Sequence, residues 1–150
     1  MAHAVARKLI FRLGETGFLL DLGRVVEICE QLTERFNPSQ TDLEQGIVGA
    51  LTFRQTKVPV VDPALHLKTH SERAINEKSA LILKGAEGNW ALLIDRVEDI
   101  VPVDRLRTCE IPPLLKIAVD GYYSRISLLA GEPLIHFEPE PYYGSPPVAP

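Results

Sequence analysis

Cysteine is nearly absent. Cys29 and Cys109 are the only two in 150 residues. That excludes a disulfide-built scaffold and sets a reducing, cytoplasmic compartment as the expectation. Long apolar runs are missing too. A stretch such as Ala91-Leu92-Leu93-Ile94 is far too short to cross a bilayer, so no membrane insertion is expected. Met1 to Arg7 carries one Arg with no apolar stretch behind it, and no signal peptide is expected. Positive charge is not in excess: 16 basic against 20 acidic residues give a net charge of -4, without any Lys/Arg block. A nucleic-acid binder needs a basic footprint, so that class is set aside. The pairs Tyr122-Tyr123 and Tyr142-Tyr143 lack the basic track that a base-stacking groove requires.

The signatures of catalysis are also missing. The chain has no G-x-S-x-G elbow, no Walker A loop and no G-x-G-x-x-G fingerprint. His66 and His70 stand four apart, a spacing that suits a metal, but no third ligand follows at a known distance and neither cysteine sits in a C-x-x-C pair. No metal and no cofactor are expected. Cys29, in an apolar stretch, reads as a buried inert thiol, and Cys109 as partly exposed. Asp95, Glu98 and Asp99 cluster after an apolar run and are the one candidate for general acid–base work. A small β-rich enzyme built on these three is the lesser reading, and a solvated strand end the plainer one. His136, between Ile135 and Phe137, is expected to point away from the core.

What the sequence does contain is short apolar runs cut by turns. Gly14-Glu15-Thr16-Gly17, Gln55-Thr56-Lys57, Gly85 to Asn89 and Ala130-Gly131-Glu132 each separate two such runs, as in β-hairpins. Leu9, Phe11 and Leu13 alternate with Lys8 and Arg12. Phe18, Leu20 and Leu22 repeat the pattern, as do Trp90, Leu92 and Ile94. A period of two places alternate side chains on opposite faces of a strand. Helical signal is confined to Asp62–Lys68, with Asp62 as N-cap and Pro63 behind it, and to Thr41–Gln45. The fold class is mainly β.

The chain also repeats itself. Strand, turn, strand and then Arg24-Val25-Val26-Glu27-Ile28 recurs as strand, turn, strand and then Arg96-Val97-Glu98-Asp99-Ile100, 72 residues on. Each half continues into another strand pair, Ile47–Asp62 and Ile117–Phe137. This predicts two related small β-subdomains, about 8–68 and 80–138, joined by a polar connector at 69–79. Halves of this size are marginal alone and are expected to share a core. Residues 139–150 form a proline-rich tail that cannot enter a ladder.

The segment Gly46 to Asp62 resembles the signature of the chemotaxis coupling proteins, the CheW-like family. The matching positions are Gly49, Phe53-Arg54, Pro59, Val60-Val61 and Asp62. The opening Asp21 to Ile28, the stretch Leu92 to Val97 and the pair Pro112-Pro113 fit as well, so the resemblance runs from about residue 8 to 138. It implies one CheW-like domain over 1–150, made of two SH3-like β-barrel subdomains over a shared hydrophobic core. It implies a non-catalytic adaptor that bridges a CheA-type histidine kinase and the cytoplasmic tip of a methyl-accepting chemoreceptor, recruited from the cytoplasm to receptor arrays. A divergent scaffold in a non-chemotaxis pathway is the alternative.

The protein-binding residues this suggests are Arg54, Val25, Glu27 and Gly49. Alternation on Ile47–Arg54 predicts Ile47, Leu51 and Phe53 facing the core, with Thr52 and Arg54 facing solvent. On the following argument Val26 and Ile28 share one face of their strand and leave Val25 exposed beside Glu27. The sequence departs from the family where Arg-Gly becomes Arg54-Gln55, where Thr52 stands for Asn, and where Glu132-Pro133 replaces a Gly-rich hairpin. Glycine serves turns that need positive φ, so the turn at Arg54 is expected to differ.

Overall fold

A computed structural model describes residues 6–39, 41–42, 46–63, 74–110 and 125–139. These contain twelve strands: β1 Arg7–Leu13, β2 Thr16–Asp21, β3 Val25–Cys29, β4 Phe36–Asn37, β5 Ile47–Phe53, β6 Thr56–Val61, β7 Ser79–Gly85, β8 Gly88–Ile94, β9 Arg96–Pro102, β10 Arg107–Glu110, β11 Arg125–Leu129 and β12 Glu132–His136. Short 3-10 turns at Leu22–Arg24, Leu32–Glu34, Ile75–Glu77 and Val103–Arg105 link some of them. The strands form two curled six-stranded sheets with the same order. The first barrel runs β4-β5-β6-β8-β7-β3 and the second β10-β11-β12-β2-β1-β9. In both, one junction is parallel: β6 with β8, and β12 with β2.

The repeat is therefore real, but the sheets do not follow the sequence halves. Hairpin β1–β2 lies in the second barrel, with strands of the second half. Hairpin β7–β8 lies in the first barrel, with strands of the first half. After each hairpin the chain crosses over, β3 joining β7 and β9 joining β1. The division at 8–68 and 80–138 thus marks the repeat and not the barrels. The exchanged hairpins explain the hydrophobicity of their sequences, because both their faces are buried. Leu9, Phe11, Leu13, Phe18 and Leu20 meet Leu81, Leu83, Trp90, Leu92 and Ile94 in a core shared by the sheets. Ala80, Ile82, Ala91 and Leu93 turn the other way, into the first barrel with Leu51 and Phe53. Ile10 and Leu19 enter the second barrel with Val101 and Leu134. Phe11 stacks on Phe18 at 5.4 Å between ring centroids, and Phe137 meets both edge-on at 5.3 and 6.0 Å. Burying each such side chain contributes about 1.5–3 kcal/mol against the entropy of ordering the chain.

Three β-bulges break strict alternation. Each inserts one unpaired residue and shifts the side chains beyond it to the opposite face. The extra residues are Val26 in β3, Glu98 in β9 and Val48 in β5. Val26 and Glu98 lie 72 residues apart, so the repeat extends to its irregularities. The bulges correct two expectations. Ile47 packs on the shared core, whereas Leu51 and Phe53 fill the first barrel. Val25 is half-buried and packs with Ile28 against the shared core, while Val26 faces the barrel interior.

His136 is also corrected. It is 5% exposed. The end of β12 is covered on both faces: Ile135 and Phe137 take the shared core, and Leu134, on the same face as His136, packs inside the second barrel. His136 is buried and hydrogen-bonded across to Ser127 Oγ at 2.6 Å. The helical expectations at 62–68 and 41–45 fall largely on residues outside the described set, although Asp42 forms a β-bridge with Ile47. Residues 140–150 of the tail also lie outside it.

Candidate docking surface

β5 and β6 are joined by a two-residue loop, since Phe53 pairs with Thr56. Such loops match the twist of the flanking strands when both central residues have positive φ. Arg54 has φ 49° and Gln55 φ 66°. The missing glycine therefore does not move the turn out of the left-handed region. Gln55 adopts what glycine would supply, at a cost of about 1 kcal/mol. The equivalent loop of the second barrel, Ala130-Gly131, has φ 49° and 85°.

This turn lifts Arg54 off the sheet. Phe53 enters the barrel core, 5% exposed, and the Arg54 guanidinium sits 4.8 Å from its ring centroid. That contact orients the fork without removing it from water, since the side chain is 68% exposed. The Glu27 carboxylate, on β3, lies 3.9 Å from the guanidinium and is 46% exposed. The fold thus brings together two of the expected binding residues, 27 positions apart in the chain. An exposed pair at this distance contributes at most about 1 kcal/mol. Below it, Cys29 Sγ lies 3.8 Å from Glu27 Oε2. Burial first, and the Glu27 charge second, push the Cys29 thiol up from its usual pKa. It is the buried cysteine expected, and Cys109 is exposed.

The other two expected residues act from below. Val25 packs on the shared core and offers only part of its surface. Gly49 is buried, because β4, paired beside β5, brings Asn37 and Phe36 against it. A Cβ built there would stand 2.7 Å from both the Asn37 carbonyl oxygen and Phe36 Cζ. Gly49 is a close-approach position that lets β4 cover β5, and it presents no side chain to a partner. Thr52 is exposed between Phe53 and Leu51, as alternation requires.

Asp95, Glu98 and Asp99 do not converge on a shared task. Asp95 is 4% exposed and accepts a hydrogen bond of 2.6 Å from the Gly14 N–H, holding the β1–β2 turn. Asp99 is exposed and accepts from the Ile100 N–H at 2.7 Å. Glu98 belongs to an ion-pair network that leaves no local signal in the sequence. Arg12 Nε and Nη2 donate to its two oxygens at 3.0 and 2.9 Å. Nη2 also donates to Glu132, and Nη1 to the Glu15 carbonyl at 3.2 Å. The Arg12 side chain is 11% exposed. The hydrogen bond to Glu98 is the main cause that raises the Arg12 pKa, and the bond from Arg12 lowers that of Glu98. Gly17, opposite Arg12, leaves room for the guanidinium, since a Cβ there would lie 2.9 Å from Nη1. Among the described residues no three His, Cys, Asp or Glu side chains are placed to hold a metal. No described helix is long and apolar enough to cross a membrane.

Two exchanged β-barrels thus share a common core, and one of them carries an exposed Arg–Glu pair. The sequence matches the CheW-like domain model over residues 7–141, and the chain belongs to that family. Its fold is similar to that of the crystal structure of the scaffolding protein CheW from Thermoanaerobacter tengcongensis, with a TM-score of 0.70 and 17% identity, covering 90% of each chain. No curated protein matches the sequence. The family is one of non-catalytic adaptors in chemotaxis signalling.

Proposed function

We propose that the chain couples a CheA-type histidine kinase to the cytoplasmic tip of a methyl-accepting chemoreceptor, and that the kinase docks on the Arg54–Glu27 end of the first barrel. The protein then works in the cytoplasm, at membrane receptor arrays. The observation that carries this reading is Arg54: a guanidinium raised on a positive-φ turn, 68% exposed, braced on Phe53 and only loosely paired. A planar fork presented in this way can take a partner carboxylate with two hydrogen bonds, and Arg is over-represented among interface hot spots. Glu27 sets the charge beside it, and the exposed part of Val25 adds apolar surface at the edge. Gly49 contributes by letting β4 seat against β5. A charge-rimmed patch on rigid strands suits reversible association.

The test is calorimetric titration of the purified protein with the kinase and, separately, with a receptor cytoplasmic fragment. Arg54→Ala should weaken kinase binding by about 2 kcal/mol, roughly thirtyfold, with an unchanged melting curve. Unchanged affinity for both partners would remove Arg54 from the docking surface.

A further inference from the structure

Hairpins β1–β2, β5–β6, β7–β8 and β11–β12 all turn on two-residue loops. Three of them place glycine in or beside the loop where the backbone has positive φ: Gly14 at 60°, Gly88 at 125° and Gly131 at 85°. Glycine has no Cβ, so that conformation costs it little. The β5–β6 loop has no glycine. Arg54 and Gln55 stand there together at φ 49° and 66°, the only adjacent pair of non-glycine residues in that region among those described. A residue with a side chain holds this conformation at a cost. Arg54 rests on the Phe53 ring and faces Glu27. Gln55 has no such support. It is exposed, and among the described residues none hydrogen-bonds its amide. Strain that the surrounding fold does not offset is found at sites of function.

We propose that Gln55 is a specificity-determining contact for the kinase, its amide pairing with a backbone peptide group next to the carboxylate that Arg54 takes. This role rests on the docking of the kinase at Arg54 and adds the chemistry of what lies beside it. A primary amide offers an acceptor and donors in one plane, the complement of a peptide group. It carries no charge, so the Arg54 guanidinium stays available for the partner's carboxylate, for which a glutamate at 55 would compete. Arg54 and Gln55 are consecutive in a tight turn, so a partner that meets the guanidinium meets the amide as well. A surface that offers the carboxylate but no free peptide group leaves the amide unpaired and binds less tightly.

The test is calorimetric titration of the full chain with the kinase, alongside thermal melts. Two variants remove the amide. Gln55→Leu keeps a side chain of similar size at the same φ, and Gln55→Gly also relieves the backbone. Each should weaken kinase binding about fivefold, the effect of one neutral hydrogen bond left unmade. Gln55→Gly should do so while melting higher than the wild type. The proposal is overturned if either variant keeps the wild-type affinity to within about twofold. A loss in Gln55→Gly alone would be an effect of turn flexibility, and a loss in Gln55→Leu alone a steric clash. Arg54→Ala in the same series separates two failures. Weakened binding there leaves the docking site standing without Gln55, and unchanged binding removes the site itself.

Discussion

The two barrels use one backbone plan for different ends. Each has a two-residue hairpin turn with positive φ at both positions and an edge strand with a bulge. In the second barrel the turn and the bulge are tied together through Arg12, which holds Glu132 beside the turn and Glu98 at the bulge. In the first barrel the bulge residue is Val26, facing the interior, and the residue equivalent to Arg12 is the exposed Lys84. The link from turn to edge strand there is the 3.9 Å Arg54–Glu27 pair in water. The lesson is one of burial. An arginine 11% exposed between two carboxylates is committed to the fold, whereas one 68% exposed beside a single carboxylate is free to exchange partners.

The sharpest test of that contrast is a matched pair of truncations. Arg12→Ala leaves Glu98 and Glu132 without their shared cation and should destabilise the protein by about 2–3 kcal/mol. Lys84→Ala, at the equivalent place, should stay within about 0.5 kcal/mol. Equal effects in urea denaturation would erase the distinction between the barrels.

Next in size is a pH effect belonging to the second barrel alone. The His136 pKa falls to about 4 because burial, and then Arg125 and Lys8, disfavour the imidazolium. A base whose folded pKa lies below its unfolded value of about 6.5 adds stability that is complete above that value. It is lost as the pH falls from there toward 4, because the unfolded chain takes up the proton first. Between pH 7 and pH 5 the loss should reach at most about 2 kcal/mol. The dependence over this window should flatten in His136→Gln, whatever that variant's own stability, in melts across the pH range.

A similar loss is expected beneath the docking surface. Gly49→Ala forces a methyl group against the Asn37 carbonyl and Phe36, and should destabilise by about 1–3 kcal/mol through displacement of β4. Heteronuclear NMR shifts confined to β4 and β5 would confirm the cause. The smallest effect should be a gain. Gln55→Gly relieves the residue at φ 66° and should raise stability by about 0.5–1 kcal/mol. A loss of stability would show that the Gln55 side chain contributes more than its backbone costs.

Some of this was legible from residues alone. The period-two runs and the four turn clusters settled the class and most hairpins, since a strand face and a tight turn each impose local composition. The 72-residue repeat marked two related units. The family resemblance added Arg54 and Glu27, which the pattern alone treated as ordinary surface charges. β4 and β10 escaped notice because strands of two and four residues carry too little pattern. The Arg12 network escaped because its members lie 86 and 120 positions from Arg12.

The sequence by itself determined local matters: which segments are extended, where they turn, that no catalytic motif is present, and that the chain repeats. Only the tertiary structure decided which half each hairpin serves, because sheet partners are chosen by burying both apolar faces of β1–β2 and β7–β8 at once. Tertiary structure also decided the facing of Val25, Ile47 and His136. A single bulge residue reverses what alternation predicts, and a strand end covered on both faces buries the side chain that alternation turns outward; neither condition is written in the residues that it affects.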